Sequence, residues 1–349
     1  MKRFVSAILL LSLLLLSVSC VGYTQTDERP LEDFGRVEGD YLFKAGFTRT
    51  PGFTPLLKYN VHTGECTTVC PDIFCDHKDE KCFFYNVSAF VSIGNTLYFE
   101  RLDKTNGEYG IYAYDVSGDQ GKFVYYPGAR IFSIQSYYNY IYLIVNQKCR
   151  RLDTESGSVY DMPDVPSGWL DSITNERIYY RTGKNENGLP VYTVTDLDGN
   201  ILSTKEDNYL RFGNYYYTST IKGAFCYDLY RSEDGSNTEL VSEKVGMGFF
   251  VGDRILYFDP NTEKVGHFTK LYSMAADGTD KKLLVDNINI SMELFPPRDQ
   301  AELINGDYVG IVLGPDKSVD EDEENYPDCD LLILNYKTGE YKISRSIYG

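Results

Sequence analysis

The sequence predicts an all-β chain folded as a β-propeller, most simply of seven four-stranded blades. Three observations carry this. Tyr (31 residues) and Phe (19) are abundant and Trp169 is the only tryptophan, a composition that with Ile, Val and Thr suits pleated, half-buried surfaces. After residue 20 no window sustains a helical stripe beyond about two turns. A strand-and-turn unit recurs about every forty residues.

The recurring unit begins with a polar turn followed by an aromatic or β-branched run. It occurs at Gly39-Asp40-Tyr41-Leu42-Phe43, Gly94-Asn95-Thr96-Leu97-Tyr98-Phe99, Asn139-Tyr140-Ile141-Tyr142 and Asn175-Glu176-Arg177-Ile178-Tyr179-Tyr180. It returns at Gly213-Asn214-Tyr215-Tyr216-Tyr217, Gly252-Asp253-Arg254-Ile255-Leu256 and Gly306-Asp307-Tyr308-Val309. Anchored on residues 40, 95, 139, 176, 214, 253 and 307, the spacings are 55, 44, 37, 38, 39 and 54. A second strand and a polar turn follow most anchors, as at His62-Thr63-Gly64, Asp277-Gly278-Thr279 and Thr338-Gly339-Glu340. Glycine accepts the positive φ that such tight turns require. One such sheet cannot bury both its faces, whereas seven in a ring can. Six or eight blades, or a pair of β-sandwiches, are the alternatives, because the first and last units are the least regular.

Ahead of the repeats, residues 1–19 have the form of a lipoprotein signal peptide. Lys2 and Arg3 precede the apolar stretch Phe4 to Leu16, and small residues lead to Cys20. The apolar stretch is 13 residues long, below the ~20 that span a bilayer as a helix. Leu16-Ser17-Val18-Ser19-Cys20 resembles a bacterial lipobox, with Ser17 where the common pattern has Leu. Cys20 is therefore the expected site of lipid attachment. Residues 20–34 form a polar tether, and residues 35–349 a single propeller domain. That domain carries a cysteine-rich insertion at about 64–86 and an acidic one at about 314–330. The long first and last spacings mark these insertions.

Charge narrows the partners. The chain has 34 basic and 51 acidic residues, a net charge of −17, and losing Lys2 and Arg3 with the signal makes it −19. Such a surface repels phosphates, which excludes a nucleic-acid partner. The expected partners are an envelope or extracellular protein or glycan, and the membrane through the lipid on Cys20.

The densest chemical motif is Cys66, Cys70, Cys75, His77 and Cys82. Outside the membrane, disulfides among Cys70, Cys75 and Cys82, with Cys66 as fourth partner, are the first expectation. The alternatives are a structural zinc held by Cys70, Cys75, His77 and Cys82, and free thiols. Disulfides or zinc would staple a polar loop with little core of its own. Cys149 and Cys226 lie in strand-like runs and are expected as buried thiols. The acidic stretch at 316–330 lacks the alternating ligands and central Gly of a calcium loop and reads as a solvated loop. Alternation makes half of each tyrosine run face a neighbouring sheet, so packing accounts for most tyrosines.

No G-x-S-x-G elbow, H-E-x-x-H helix or sialidase box occurs, and the chain has only three histidines. The functional expectation is a non-enzymatic binding platform, lipid-anchored at the extracytoplasmic face of the cell membrane, with no cofactor beyond that zinc. The alternatives are a carbohydrate-active hydrolase or lyase using Asp and Glu at the propeller channel, and a solute-binding component of an importer. The importer class alternates strands with helices in two lobes, an alternation this sequence lacks.

The stretch Ile255-Leu256-Tyr257-Phe258 through Leu271-Tyr272-Ser273-Met274 and Asp277-Gly278-Thr279-Asp280-Lys281-Lys282 resembles the repeat of TolB-like and low-density-lipoprotein-receptor-like propellers. Cys70-Pro71-Asp72-Ile73-Phe74-Cys75-Asp76-His77 through Cys82-Phe83-Phe84 is similar to a stretch in propeller lipoproteins of anaerobic Gram-positive bacteria. The resemblance implies a fold and a place in the cell, and no activity.

Overall fold

In a computed structural model the described residues lie within 38–345, apart from 46–54, 73, 76, 78, 80, 86, 88, 163–168, 175, 185–189, 206–209, 213–214, 224–225, 234–236, 247, 261–266, 289, 292–303 and 314–329. They form strands and turns and no helix, and hence no helix long and apolar enough to cross a membrane. The signal segment, Cys20 and the tether lie outside the described residues.

The strands build seven successive antiparallel sheets, the blades of a propeller. Blade 1 holds β1 (Tyr41–Ala45), β2 (Leu56–Asn60) and β3 (Cys66–Thr68). Blade 2 holds β4 (Phe90–Ile93), β5 (Thr96–Asp103), β6 (Glu108–Asp115) and β7 (Gln120–Tyr125); blade 3 holds β8 (Ile131–Tyr137), β9 (Tyr140–Val145), β10 (Lys148–Asp153) and β11 (Val159–Asp161). Blade 4 is β12 (Trp169–Thr174), β13 (Arg177–Lys184), β14 (Pro190–Asp196) and β15 (Ile201–Lys205). Blade 5 is β16 (Leu210–Phe212), β17 (Tyr215–Gly223), β18 (Cys226–Ser232) and β19 (Glu239–Val245). Blade 6 is β20 (Gly248–Val251), β21 (Arg254–Phe258), β23 (Leu271–Ala275) and β24 (Lys282–Val285), beside a two-stranded sheet of β22 (His267–Phe268) and β25 (Ile290–Ser291). Blade 7 is β26 (Ile304–Asn305), β27 (Tyr308–Val312), β28 (Leu331–Asn335) and β29 (Tyr341–Ser344).

Six blades thus have the expected four strands. Blade 1 has three among the described residues, corresponding to the second, third and fourth strands of the others. In blades 2 to 7 the recurring polar turn joins the first strand to the second, as Gly94-Asn95 joins β4 to β5. In blade 1 the equivalent Gly39-Asp40 leads into β1.

Strand periodicity explains why sheets assemble into a ring. Alternate side chains point to opposite faces, so each central strand feeds two cores. In β1, Leu42 packs with Leu331 and Ile333 of blade 7, while Phe43 packs with Leu97 and Phe99 of blade 2. In β28, Leu332 and Leu334 turn to blade 6, and Leu331 and Ile333 to blade 1. In β9, Ile141, Leu143 and Val145 face blade 2, and Tyr142 and Ile144 face blade 4. The described inter-blade cores are apolar, so hydrophobic burial holds those neighbouring blades together.

The ring closes through side chains as well. Asn305, 8% exposed, accepts a hydrogen bond from the Gly39 amide at 2.9 Å. Its Nδ2 donates to the carbonyls of Gly39 at 2.7 Å and Tyr41 at 3.0 Å. Lys342 of blade 7 donates to the His62 carbonyl in blade 1. The same clamp recurs between blades 1 and 2, where Asn95 accepts from the Asp40 amide at 2.7 Å and donates to the Asp40 carboxylate at 2.8 Å. The polar residues of the recurring turns therefore tie blade to blade. They are not merely solvated.

The turns between third and fourth strands also repeat a device. Asn60 Oδ1 accepts from the amides of His62 and Thr63, and Gly64 N donates to the Asn60 carbonyl. Asn335, with Lys337, Thr338 and Gly339, does the same in blade 7. Asp153, with Glu155, Ser156 and Gly157, does so in blade 3. An Asx side chain at the strand end satisfies the turn amides, and glycine supplies the left-handed residue that re-enters the sheet.

Candidate functional site

Strand order fixes which connections share a face. Within a blade the strands alternate in direction, so first-to-second and third-to-fourth turns emerge on one face. Second-to-third connections and the links between blades emerge on the other. On the first face every connection is short: two residues between first and second strands, and four to six between third and fourth. We call this the turn face. On the second, the loop face, lie all connections of ten residues or more: 46–55, 69–89, 259–270, 286–303 and 313–330. They leave blades 6, 7 and 1, which are contiguous because blade 7 closes onto blade 1. The acidic stretch belongs to the last of these connections and, apart from Asp330, lies outside the described residues.

The best-described of these connections, 69–89, carries the cysteine cluster. Its fixed points are Val69, Cys82, Phe84 and Val87, which are buried with Phe43, Leu56, Phe90, Leu97 and Phe99 between blades 1 and 2. Two Asp-x-x-Cys units shape the loop. Asp72 Oδ1 accepts from the Phe74 amide at 2.9 Å, and the Asp72 carbonyl accepts from the Cys75 amide at 3.1 Å. Asp79 repeats both bonds, from the Lys81 amide at 2.8 Å and the Cys82 amide at 3.1 Å. Each aspartate thus folds a turn that presents the cysteine three residues on. Between the two units His77 sits at φ 56°, a left-handed conformation that reverses the chain.

The result is a convergence of four donors. The ligand atoms of Cys70, Cys75, His77 and Cys82 all lie within 4.8 Å of one another. His77 Nδ1 is 3.4 Å from Cys82 Sγ. No disulfide joins Cys70, Cys75 and Cys82, which are free thiols. Burial, with the neighbouring thiols adding to it, pushes the Cys82 thiol up to about 12, and burial also raises Cys70. In the absence of a cation these sulfurs therefore keep their protons at neutral pH. Arg101, from β5, donates to the carbonyls of Cys82 at 3.3 Å and Tyr85 at 3.2 Å, and its guanidinium lies over the Phe83 ring at 5.3 Å.

Cys66 stands apart from this convergence. It belongs to β3 and is buried with Leu42, Leu57, Tyr59 and Val61 in the core between blades 7 and 1. The insertion proper starts at residue 69. Cys149 in β10 is buried as expected, and burial pushes its thiol up to about 11. Cys226 departs from expectation: it opens β18 beside a bulge and is only half-buried. Cys329 lies outside the described residues. Tyr137, Tyr142 and Tyr217 are buried in inter-blade cores, and Tyr138, at the intervening turn, is exposed.

An aromatic run, not singled out from the sequence, borders the cysteine loop. Phe83 packs on Tyr112 at 4.7 Å, Tyr112 on Phe123 at 5.0 Å, and Phe123 on Tyr126 at 5.5 Å. Phe83 and Tyr126 are exposed at the ends of this run, Tyr126 donating to the Asp103 carboxylate at 2.6 Å. Phe74, on the cysteine loop itself, is 91% exposed. A tally of aromatics in the connections could have found Phe74, Phe83 and Tyr126.

No protein-family model and no curated protein matches the sequence. Solved structures do match in fold. The β-propeller domain of the Trilobed protease from Pyrococcus furiosus, described as having an open velcro topology, is 13% identical. It has a TM-score of 0.51 over 90% of this chain and 97% of that one. Acylaminoacyl peptidase from Pyrococcus horikoshii is 11% identical with a TM-score of 0.48, matching 88% of this chain, which spans half of the peptidase. TolB from Acinetobacter baumannii is 12% identical with a TM-score of 0.40, over 89% of this chain and 81% of TolB. At these identities the likeness concerns the fold alone.

Proposed function

We propose that this chain is a non-enzymatic binding platform held by lipid on Cys20 at the extracytoplasmic face of the bacterial membrane. Its loop face would take a protein or glycan of the envelope. One observation carries the reading: every connection of ten residues or more leaves from strand ends on the same face, and all of them leave blades 6, 7 and 1. Tight turns suffice to build the ring, as the opposite face demonstrates. Chain length beyond that requirement, confined to one sector, is what a recognition surface on a rigid scaffold looks like. The exposed aromatics Phe74, Phe83 and Tyr126 on this face supply apolar, stackable contact area. The signal-like start of the chain supports the placement outside the membrane, and the net charge of −17 disfavours anionic polymers as ligands.

The test is affinity capture from envelope extract with the purified protein, run beside a glycan panel. A bound protein or glycan is expected, with affinity falling about tenfold or more in the combined Phe74→Ala and Tyr126→Ala variant. Blank captures together with blank panels would end the proposal.

A further inference from the structure

We propose that Cys70, Cys75, His77 and Cys82 bind one zinc ion tetrahedrally, as a clasp that folds the 69–89 connection onto the seam between blades 1 and 2. Four donors within 4.8 Å of one another is the crowding a single small cation imposes. In a tetrahedral site with Zn–S near 2.3 Å, sulfurs stand ~3.8 Å apart. A disulfide would join only two of the three sulfurs and leave the third sulfur and the imidazole without a common purpose. Cys66, the sulfur that a two-bridge staple would need, packs in a different core.

The donor chemistry selects the metal. Three thiolates and one imidazole are a structural zinc set, and hard cations such as calcium or magnesium take oxygen ligands. Four protein ligands fill the coordination sphere, so the site holds structure and leaves no position for a substrate. On binding, the three thiols release three protons to water and His77 ligates as the neutral ring through Nδ1, the atom facing Cys82. The centre then carries one net negative charge. Arg101, hydrogen-bonded to the Cys82 backbone, brings a positive charge beside it. The two Asp-x-x-Cys turns and the left-handed His77 aim these donors at one point.

The structural need is visible. Among the described residues of 69–89 only Val69, Cys82, Phe84 and Val87 are buried in the core, with Cys70, Cys75 and Tyr85 packed partly buried against it, which is little apolar burial to order a loop of that length. Metal binding free energy would supply the difference. The platform reading does not depend on this clasp, and the clasp would stand if the platform reading failed.

The experiment uses the full chain in detergent, purified under reductant without chelator. Elemental analysis should find one zinc per chain, and a strong chelator should release it together with three newly reactive thiols. Cobalt exchanged for zinc should give visible ligand-field bands of tetrahedral intensity and a thiolate charge-transfer band. Cys75→Ser should lower zinc affinity by roughly tenfold or more, whereas Cys66→Ser should leave it unchanged. If Cys75→Ser does not fold, the cobalt spectrum and chelator-linked thiol count of the unmutated chain decide alone. The proposal is overturned if the reduced protein takes up no zinc, if cobalt gives no thiolate band, or if Cys66→Ser loses metal as Cys75→Ser does. A disulfide among Cys70, Cys75 and Cys82 in protein kept under reductant overturns it equally.

Discussion

The two faces of this propeller are made by different rules. On the turn face, where Tyr138 is an exposed ring, the short connections are held by backbone jobs: Asn60, Asp153 and Asn335 cap turn amides, and Asn95 and Asn305 clamp one blade to the next. On the loop face the chain is longer than connection requires, and it carries exposed rings and converging sulfurs. The difference teaches where to look for function in a repeat scaffold. Regular turns mark what the fold needs, and departures from regularity mark what it has been given besides.

Paired substitutions can break or sharpen this contrast. The largest effect is expected beneath the cysteine loop. Phe99→Ala removes a fully buried ring that touches Phe83, Phe84 and Tyr112, and should cost about 3–5 kcal/mol in urea unfolding. Phe74→Ala, on the loop surface, should stay within about 0.5 kcal/mol. Equal losses would mean that the loop packs far more tightly than its exposure indicates.

Next comes the seam. Asn305→Ala strips partners from the Gly39 amide and from two carbonyls at a buried junction, at about 2–3 kcal/mol. The exposed counterpart Asn95→Ala should cost about 1 kcal/mol or less by the same denaturation measurement. A smaller loss at Asn305 than at Asn95 would show that closure does not depend on this clamp.

Glycines report the same contrast on a smaller scale. At Gly252, φ +52°, a Cβ would land on the Tyr336 hydroxyl of blade 7, so Gly252→Ala should lower stability by about 2 kcal/mol. Gly107, φ +77°, lies in a loop-face hairpin with open space around it, and Gly107→Ala should cost only the conformational penalty of about 1 kcal/mol. Thermal melts of the two variants check the order.

The smallest effect is in acid. Hydrogen bonds from Ser156, Asn200 and Thr279 hold the carboxyls of Asp153, Asp196 and Asp277 below their ordinary value. Their contribution is fully present above the unfolded carboxylate value, roughly 4, and is lost as pH falls through the lower folded value. Melting temperature should therefore drop as pH is taken from about 5 to about 3. Asp153→Asn should flatten that drop, in line with Asn60 and Asn335, which cap the same turn without titrating.

Much of the fold was legible because it is local. The period-two runs and the polar turn before each predicted sheets, and alternation put half of each tyrosine run in a core, where Tyr137 and Tyr142 lie. The Asp-Gly and Thr-Gly turns fell where glycine takes positive φ, as at Gly278 and Gly339. What was hidden is non-local. Asn305 meets Gly39 across 266 residues, and no residue type at either place announces the pairing. The separation of Cys66 from Cys70 turns on one fact: β3 pairs with β2, which sends the Cys66 side chain toward blade 7. The Asp72 and Asp79 turns were readable, since two Asp-x-x-Cys units seven residues apart stand in the sequence. Their meaning needed the loop's path. Assigning the long connections to one face likewise needed strand direction, which composition does not carry.

The central claim is that partners meet the loop face and leave the turn face bare. It is tested most directly by placing a photo-crosslinking residue at single positions in living cells. Positions 74 and 126 on the loop face would be compared with 155 and 337 on the turn face, all four exposed. Adducts to an envelope protein or glycan from 74 or 126, and none from 155 and 337, are the predicted result. Adducts confined to 155 or 337 would contradict it.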